Sequence, residues 1–186
     1  MRHAESTANL FHMVVSLPIA GIANAGLTAR GRAQVVAAAH KVRSEIAVGK
    51  TAIYSSDFLR AIESATLLAD EVGLPGIETD PSIATQLRER NFGVIEGLSS
   101  SLYTAAWEAD VLGQTLAGVE PVSQVLIRMH RAIELLEARY LGFTLILVSH
   151  GDPLQILLAD NIHGSAMRHR ELPNIQNAEI RSYPRT

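Results

Sequence analysis

Residues 143–149 read Phe-Thr-Leu-Ile-Leu-Val-Ser, an apolar run with no polar alternation. A strand of that kind is buried on both faces, which requires a sheet covered by helices above and below. This one stretch therefore restricts the chain to layered α/β architectures. The neighbouring segments supply the layers. In residues 121–140, Val122, Val125, Met129, Ile133, Leu136 and Tyr140 recur at helical spacing. Thr28 suits the N-cap of a helix predicted over residues 29–46, with Val35, Ala38, Ala39, Val42 and Ile46 on one face. Residues 51–55 (Thr-Ala-Ile-Tyr-Ser) read as a second buried strand. A helix over residues 59–72 then buries Ala61, Ala65, Leu68 and Val72, and Gly73-Leu74-Pro75-Gly76 stops it.

Further strands are expected at residues 77–80 and, as an edge, at residues 178–183. Residues 87–101 are polar and Gly-punctuated and read as loop, followed by a short helix over residues 102–110. Pro153 fits the first turn of a helix that runs through Asp160. Residues 10–22 are apolar but broken by Pro18 and Gly21, which excludes a long helix. That segment reads as a loop over a pocket, an interface segment or a short strand. No repeat or linker interrupts the order, so a single three-layer α/β/α sandwich over residues 1–186 is expected.

Composition narrows the function. With 47% hydrophobic residues the chain has the material for a packed core. A net charge of -3 gives no electrostatic footing for nucleic acid. The chain has no Cys, which removes disulfides, thiolate metal sites and a Cys nucleophile. No apolar run reaches the length needed to span a bilayer, and the N-terminus does not read as a secretory signal. A cytoplasmic protein without membrane or nucleic-acid partners is expected.

In open α/β sheets, ligands collect beyond the carboxyl ends of the strands. Ser55-Ser56 and Ser149-His150 both fall just after expected strands. Together with Arg2-His3, Arg60 and Glu89 they supply two His, two Arg and one Glu. Arg2 and Arg60 suit a clamp on phosphate oxygens, because the guanidinium fork matches them, and His150 adds a donor. A neutral His3 has a lone pair able to attack phosphorus. A protonated Glu89 can protonate a departing alkoxide and then activate water. The scheme demands no metal and no cofactor.

Each residue also has a plainer reading. Of the seven His, His12, His40, His130, His163 and His169 are expected to be structural or superficial, His12 being the nearest to the motif. Arg30, Arg32, Arg88, Arg90 and Arg131 read as solvated ion-pair partners. His3 and His150 lack a third metal ligand with a clear claim. Asp152 is the nearest candidate, but it reads better as favourable charge at a helix N-terminus.

These motifs resemble the histidine phosphatase superfamily, in the branch containing cofactor-dependent phosphoglycerate mutase and related phosphatases. The family's Arg-His-Gly-Glu motif has its counterpart in Arg2-His3-Ala4-Glu5, with a downstream Asn9. Gly26-Leu27-Thr28-Ala29-Arg30-Gly31 is similar to the segment opening the first helix, and Ser55-Ser56-Asp57-Phe58-Leu59-Arg60-Ala61 to the Ser-x-Leu-x-Arg-Ala segment. Leu87-Arg88-Glu89-Arg90-Asn91-Phe92-Gly93 resembles the proton-donor segment, and Ser149-His150-Gly151 the second His motif. The resemblance implies a phosphoglycerate mutase-like fold and His3 as phosphorylated nucleophile. It also implies Arg2, Arg60 and His150 as the phosphate pocket, Glu89 as acid and base, and Asn9 as a substrate contact. Gly151 stands where another branch places an Asp donor, which favours Glu89.

The expected activity is metal-independent hydrolysis of a small phosphorylated metabolite through phosphohistidine. The short, mostly apolar stretch between Gly97 and the residue-121 helix favours hydrolysis over mutase activity, which is the alternative. A non-catalytic binding protein is a second alternative, because the family's first central strand precedes the Arg-His motif and here only two residues precede His3. A shortened start is the first explanation. Pairing across a homodimer, or recruitment of residues 11–17, in which Phe11, Met13, Val15 and Leu17 alternate, are the others.

Overall fold

The computed structural model describes residues 1–183. Two parallel strands form the centre, β1 (Thr51–Ser55) and β2 (Thr144–Val148), in register from Thr51 opposite Thr144 to Ser55 opposite Val148. Eight α-helices surround them: α1 (Thr7–Leu10), α2 (Pro18–Gly21), α3 (Ala29–Val42), α4 (Leu59–Val72), α5 (Pro81–Ala84), α6 (Tyr103–Val111), α7 (Val122–Arg139) and α8 (Gly151–His163).

The layers follow from alternation within the strands. Ile53 and Val148 face the apolar sides of α3 and α4 in one cluster with Val35, Ala65 and Leu68. Ala52 and Tyr54 face α7 and α8 in another with Val125, Met129 and Ile156. β1 is buried at every position but the first, whereas in β2 only Val148 is fully buried and Leu145, Ile146 and Leu147 stay half-buried, so the cover expected for the apolar run is incomplete along that strand. A third, smaller cluster joins Val14, Phe92, Ile95, Ala106 and Val119 beneath α6.

Several boundaries differ from expectation. The helix from residue 29 ends at Val42 and tightens into a 3-10 turn at Arg43–Glu45, so it stops short of Ile46. Residues 77–80 make one parallel bridge, Glu78 to Tyr54, rather than a strand. The edge strand expected at residues 178–183 is absent. Ala178 takes a left-handed φ of 59°, a conformation that breaks a strand at a non-glycine residue. That segment contributes single bonds, with Arg2 N donating to Glu179 O at 3.0 Å and Ala178 N to His3 O at 3.2 Å.

The alternation in residues 11–17 is out of phase with burial. Val14 and Ser16 are buried, whereas Phe11 and Met13 are exposed. The segment pairs through Met13 with Ser99 and does not join β2. The N-terminal residues lie beside the end of β2 instead. Ser149 N donates to Met1 O at 3.0 Å, His3 N donates to Ser149 O at 2.9 Å, and Arg2 forms a parallel bridge to Ser149. Alongside Thr144–Leu147 runs an apolar groove of about 340 Å³ floored by Leu136, Leu154 and Leu157.

Candidate active site

The Arg2–Ser149 bridge and the Ser56 N to Val148 O bond (2.9 Å) bring Arg2, His3, Ser56 and His150 to one end of the parallel pair. This is the carboxyl end, as the strand order predicts. Arg60 joins them from the first turn of α4, and Glu89 from the loop after α5. Arg2, His3, Asn9, Arg60 and Glu89 all line one cavity of about 370 Å³. His150 does not line it. It is fully buried behind His3, with the two ring centroids 5.1 Å apart, and its Nε2 shares a 2.9 Å hydrogen bond with Ser56 Oγ.

His3 is held on every side. Ala4 N donates to Ser64 Oγ at 3.0 Å, and that hydroxyl donates to Arg60 O at 2.7 Å, tying the motif to α4. The Glu5 carbonyl accepts from Thr28 N at 3.0 Å and lies against Gly31 in the first turn of α3. A Cβ at residue 31 would overlap that carbonyl, which accounts for the glycine. His3 Nδ1 is 2.7 Å from Ala4 O. A carbonyl can only accept, so this contact selects the Nδ1–H tautomer and leaves the Nε2 lone pair directed at the site. Arg60 Nε donates to that Nε2 at 3.1 Å, and Arg60 Nη2 donates to Val15 O at 2.9 Å.

Burial sets the protonation states. Removal from water, followed by the charges of Arg60 and Arg2, holds the His3 imidazole well below the usual His range. Burial and then Arg60 do the same to His150. Both rings are neutral at physiological pH. Glu89 moves the other way, pushed up to about 7 by burial against the opposing pull of Arg60. Its Oε1 accepts from Arg90 N at 3.0 Å, and its Oε2 lies 3.9 Å from His150 Nδ1. Arg2 Nε, Arg60 Nη1 and His150 Nδ1 are buried without a hydrogen-bond partner. Buried unsatisfied donors are costly, and the two guanidinium N–H groups of cavity-lining Arg2 and Arg60 fit an anion whose oxygens take them up.

Asn9 reaches the cavity but is also structural, since it closes a capping box with Ser6. Four supporting groups were not singled out in the sequence. Arg128 on α7 donates to the carbonyls of Gln86 (2.6 Å), Arg88 (2.8 Å) and Glu89 (3.3 Å), fixing the loop that carries Glu89. Tyr103, on α6, stacks on Trp107 with ring centroids 5.5 Å apart and lines the cavity. Asn177 Nδ2 donates to His3 O at 3.2 Å. The Arg170 guanidinium lies over the Trp107 ring at 3.7 Å. Helical periodicity would only have marked Arg128 as polar, and the others sit on short or irregular segments.

One plain reading is corrected. Arg90 is fully buried, bonded to both Asp110 oxygens at 2.6 and 2.8 Å and to Asp152 Oδ2 at 3.1 Å, so it is no solvated ion-pair partner. His169 is buried beside Asp110, and His12 lines the cavity. Asp152 does sit in the first turn of α8, but its carboxylate is committed to Arg90 and to Trp107 Nε1 at 2.9 Å. Among the described residues no group of three or more His, Asp or Glu is arranged to hold a metal ion, and no helix is long and apolar enough to cross a membrane.

A parallel sheet wrapped in helices, with a neutral histidine between buried guanidinium groups at its carboxyl end, defines an α/β protein built to meet an oxyanion. The chain belongs to the histidine phosphatase superfamily, branch 1, whose family model matches residues 1–185. It is 32% identical over 166 residues to a probable phosphoglycerate mutase GpmB of Yersinia enterocolitica, covering 86% of this chain and 71% of that protein. A Yersinia pestis counterpart is 31% identical over 179 residues, covering 92% and 77%. Among solved structures, a mycobacterial glucosyl-3-phosphoglycerate phosphatase in complex with VO3 superposes with a TM-score of 0.75 at 26% identity, covering 95% of this chain and 87% of that one. An alpha-ribazole phosphatase from Shigella flexneri shares the fold with a TM-score of 0.71 at 24% identity, covering 96% and 85%.

Proposed function

We propose that the protein is a phosphatase that hydrolyses a small phosphomonoester through a phosphohistidine on His3. The observation that carries this reading is the pairing of states in one cavity: a neutral His3 whose Nε2 lone pair is held only by Arg60, and a Glu89 whose pKa is raised to about 7. His3 Nε2 attacks phosphorus as the ester P–O bond breaks, and Glu89 gives its proton to the leaving alkoxide. Water then attacks the phosphohistidine and loses its proton to the Glu89 carboxylate, releasing phosphate and restoring His3. Arg2 and Arg60 neutralise the transferring group, and neutral His150 backs the His3 ring. In phosphoryl transfer such fixed charges carry most of the rate acceleration. The sequence of steps calls for no metal and no added cofactor. The mycobacterial phosphatase neighbour supports hydrolysis.

The test is acid-labile labelling. A phosphomonoester with labelled phosphorus should leave acid-labile label on His3, and His3→Ala should lose both label and phosphate release. If folded protein takes no label and His3→Ala matches the parent, the chain is a binding protein with a phosphatase-like pocket. The relatives named as probable phosphoglycerate mutases favour mutase activity as the second reading. Phosphate release without isomerised product, with a bisphosphate primer present, dismisses it.

A further inference from the structure

Beyond His3 the cavity widens toward α6 and residues 170–176, and the charges there are already paired. Arg170 is the cation of that wall. Its guanidinium lies over Trp107, 3.6 Å from Asp152 Oδ1, and donates to Gln155 Oε1 at 2.9 Å and to Asn174 Oδ1 at 2.6 Å. Asp152 also binds Arg90, and Arg90 binds Asp110 through two parallel bonds. Two guanidinium groups and two carboxylates therefore form one buried or half-buried cluster with no net charge. His169, packed against Asp110, is held below the usual His range by burial and adds no charge.

What remains for a ligand is the charge of Arg2 and Arg60, two cations against one phosphate dianion. Among the described residues no further unpaired cation lines the cavity. A leaving group with a carboxylate or a second phosphate would enter beside Asp152 without a counter-charge, which is unfavourable where water is partly excluded. The same wall does carry uncharged hydrogen-bonding groups. Asn9, Ser100, Asn174 and Gln176 line this space with amides and a hydroxyl, and Tyr103 adds a phenol. Trp107 is already stacked with Tyr103 and covered by the Arg170 guanidinium, so it serves as a fixed wall rather than a free stacking surface.

We infer that the preferred phosphomonoesters carry an uncharged, hydroxyl-rich alcohol, of the sugar- or polyol-monophosphate class, and that the self-neutralised Arg90–Asp110–Asp152–Arg170 cluster selects against a second anionic group. The inference rests on the phosphatase reading and deepens it. Side-chain amides and hydroxyls replace the water lost by substrate hydroxyls, whereas nothing there replaces the water lost by a second anion.

The decisive comparison uses glycerol phosphate and 3-phosphoglycerate, which differ in a hydroxymethyl against a carboxylate, with p-nitrophenyl phosphate as a reporter of the basic phosphatase reaction. The full chain is expected to hydrolyse glycerol phosphate with roughly tenfold or greater advantage in kcat/KM, as an unpaired buried charge implies. Gln176→Lys and, separately, Asn174→Lys place a cation on exposed positions of the wall and should narrow or reverse that ratio. Equal or better hydrolysis of 3-phosphoglycerate by the parent, or a ratio unmoved by both Lys variants, overturns the inference while leaving the phosphatase reading intact. Failure to turn over p-nitrophenyl phosphate in folded protein overturns both.

Discussion

Arg60 Nε donates to His3 Nε2 at 3.1 Å, so the guanidinium suited to a phosphate oxygen occupies the lone pair suited to phosphorus. An incoming phosphate competes for that N–H and releases the nucleophile as it binds. The partnerless Arg60 Nη1 is a second donor ready for the same anion. Arg60→Lys keeps the charge but loses the fork that spans Val15 O and the site. We expect kcat/KM to fall by about 10²–10³, the usual effect of removing one preorganised donor. Inorganic phosphate should raise Tm of the parent by binding the folded state, and this rise should shrink in the variant.

On the proposed scheme Glu89 should give the site its pH dependence. Its pKa, raised by burial to about 7, places loss of the acid near neutrality. The rate for alkyl phosphates should therefore decline as pH rises through about 7. His3 is depressed well below its ordinary value, so the nucleophile stays neutral throughout that range. Glu89→Gln should slow alkyl esters severely and p-nitrophenyl phosphate little, since a good leaving group needs no proton. Equal losses on both ester types would remove Glu89 from the acid role.

The same shift couples to stability. A carboxyl whose folded pKa exceeds its unfolded value is favoured while protonated, and this advantage fades as pH rises from the unfolded pKa through the folded one. Deprotonating Glu89 inside the fold costs on the order of 3 kcal/mol at one pKa unit per 1.36 kcal/mol. Glu89→Gln should accordingly be more stable than the parent above about pH 7 and close to it near pH 4. Urea unfolding at the two pH values checks this.

Arg128 holds the donor loop by three carbonyls, a grip no single ammonium reproduces. Arg128→Lys and Arg128→Met should both misplace Glu89 and lower kcat for alkyl esters by roughly 10-fold to 100-fold, the scale of a small misplacement. The rate's dependence on leaving-group pKa should steepen. An unchanged dependence with a uniform loss would mark Arg128 as merely structural.

Arg90 is expected to matter more for stability than for chemistry. Arg90→Met strands Asp110 and Asp152 in the interior, a change that costs about 3–5 kcal/mol when one partner of a buried pair is removed. The urea midpoint should drop accordingly. KM should also rise, because Asp152 anchors the Trp107 wall.

The sequence by itself determined the architecture and pointed to candidate groups that the fold gathers at the carboxyl end of the strands. Residues 144–148 are apolar at every position but the first, which marks an interior strand, although Leu145, Ile146 and Leu147 stay half-buried beside the groove. The order of Arg2-His3, Arg60, Glu89 and Ser149-His150 puts chemistry after strand ends and in the first turn of a helix. Local rules sufficed there, because periodicity, caps and strand-end placement are properties of neighbouring residues. They failed where neighbours do not decide. Residues 178–183 alternate like a strand, yet the left-handed Ala178 turns them into isolated contacts. Residues 11–17 alternate too, yet Val14 is the buried side chain, because packing on Phe92 and Ile95 outweighed the pattern. Tertiary structure alone decided that Arg90 lies in the core, that Arg128 reaches the Glu89 loop, and that His150 stands behind His3 instead of lining the cavity. It also set the protonation of His3 and Glu89. Burial and the charges around a group fix its pKa, and both come from residues far apart in the chain.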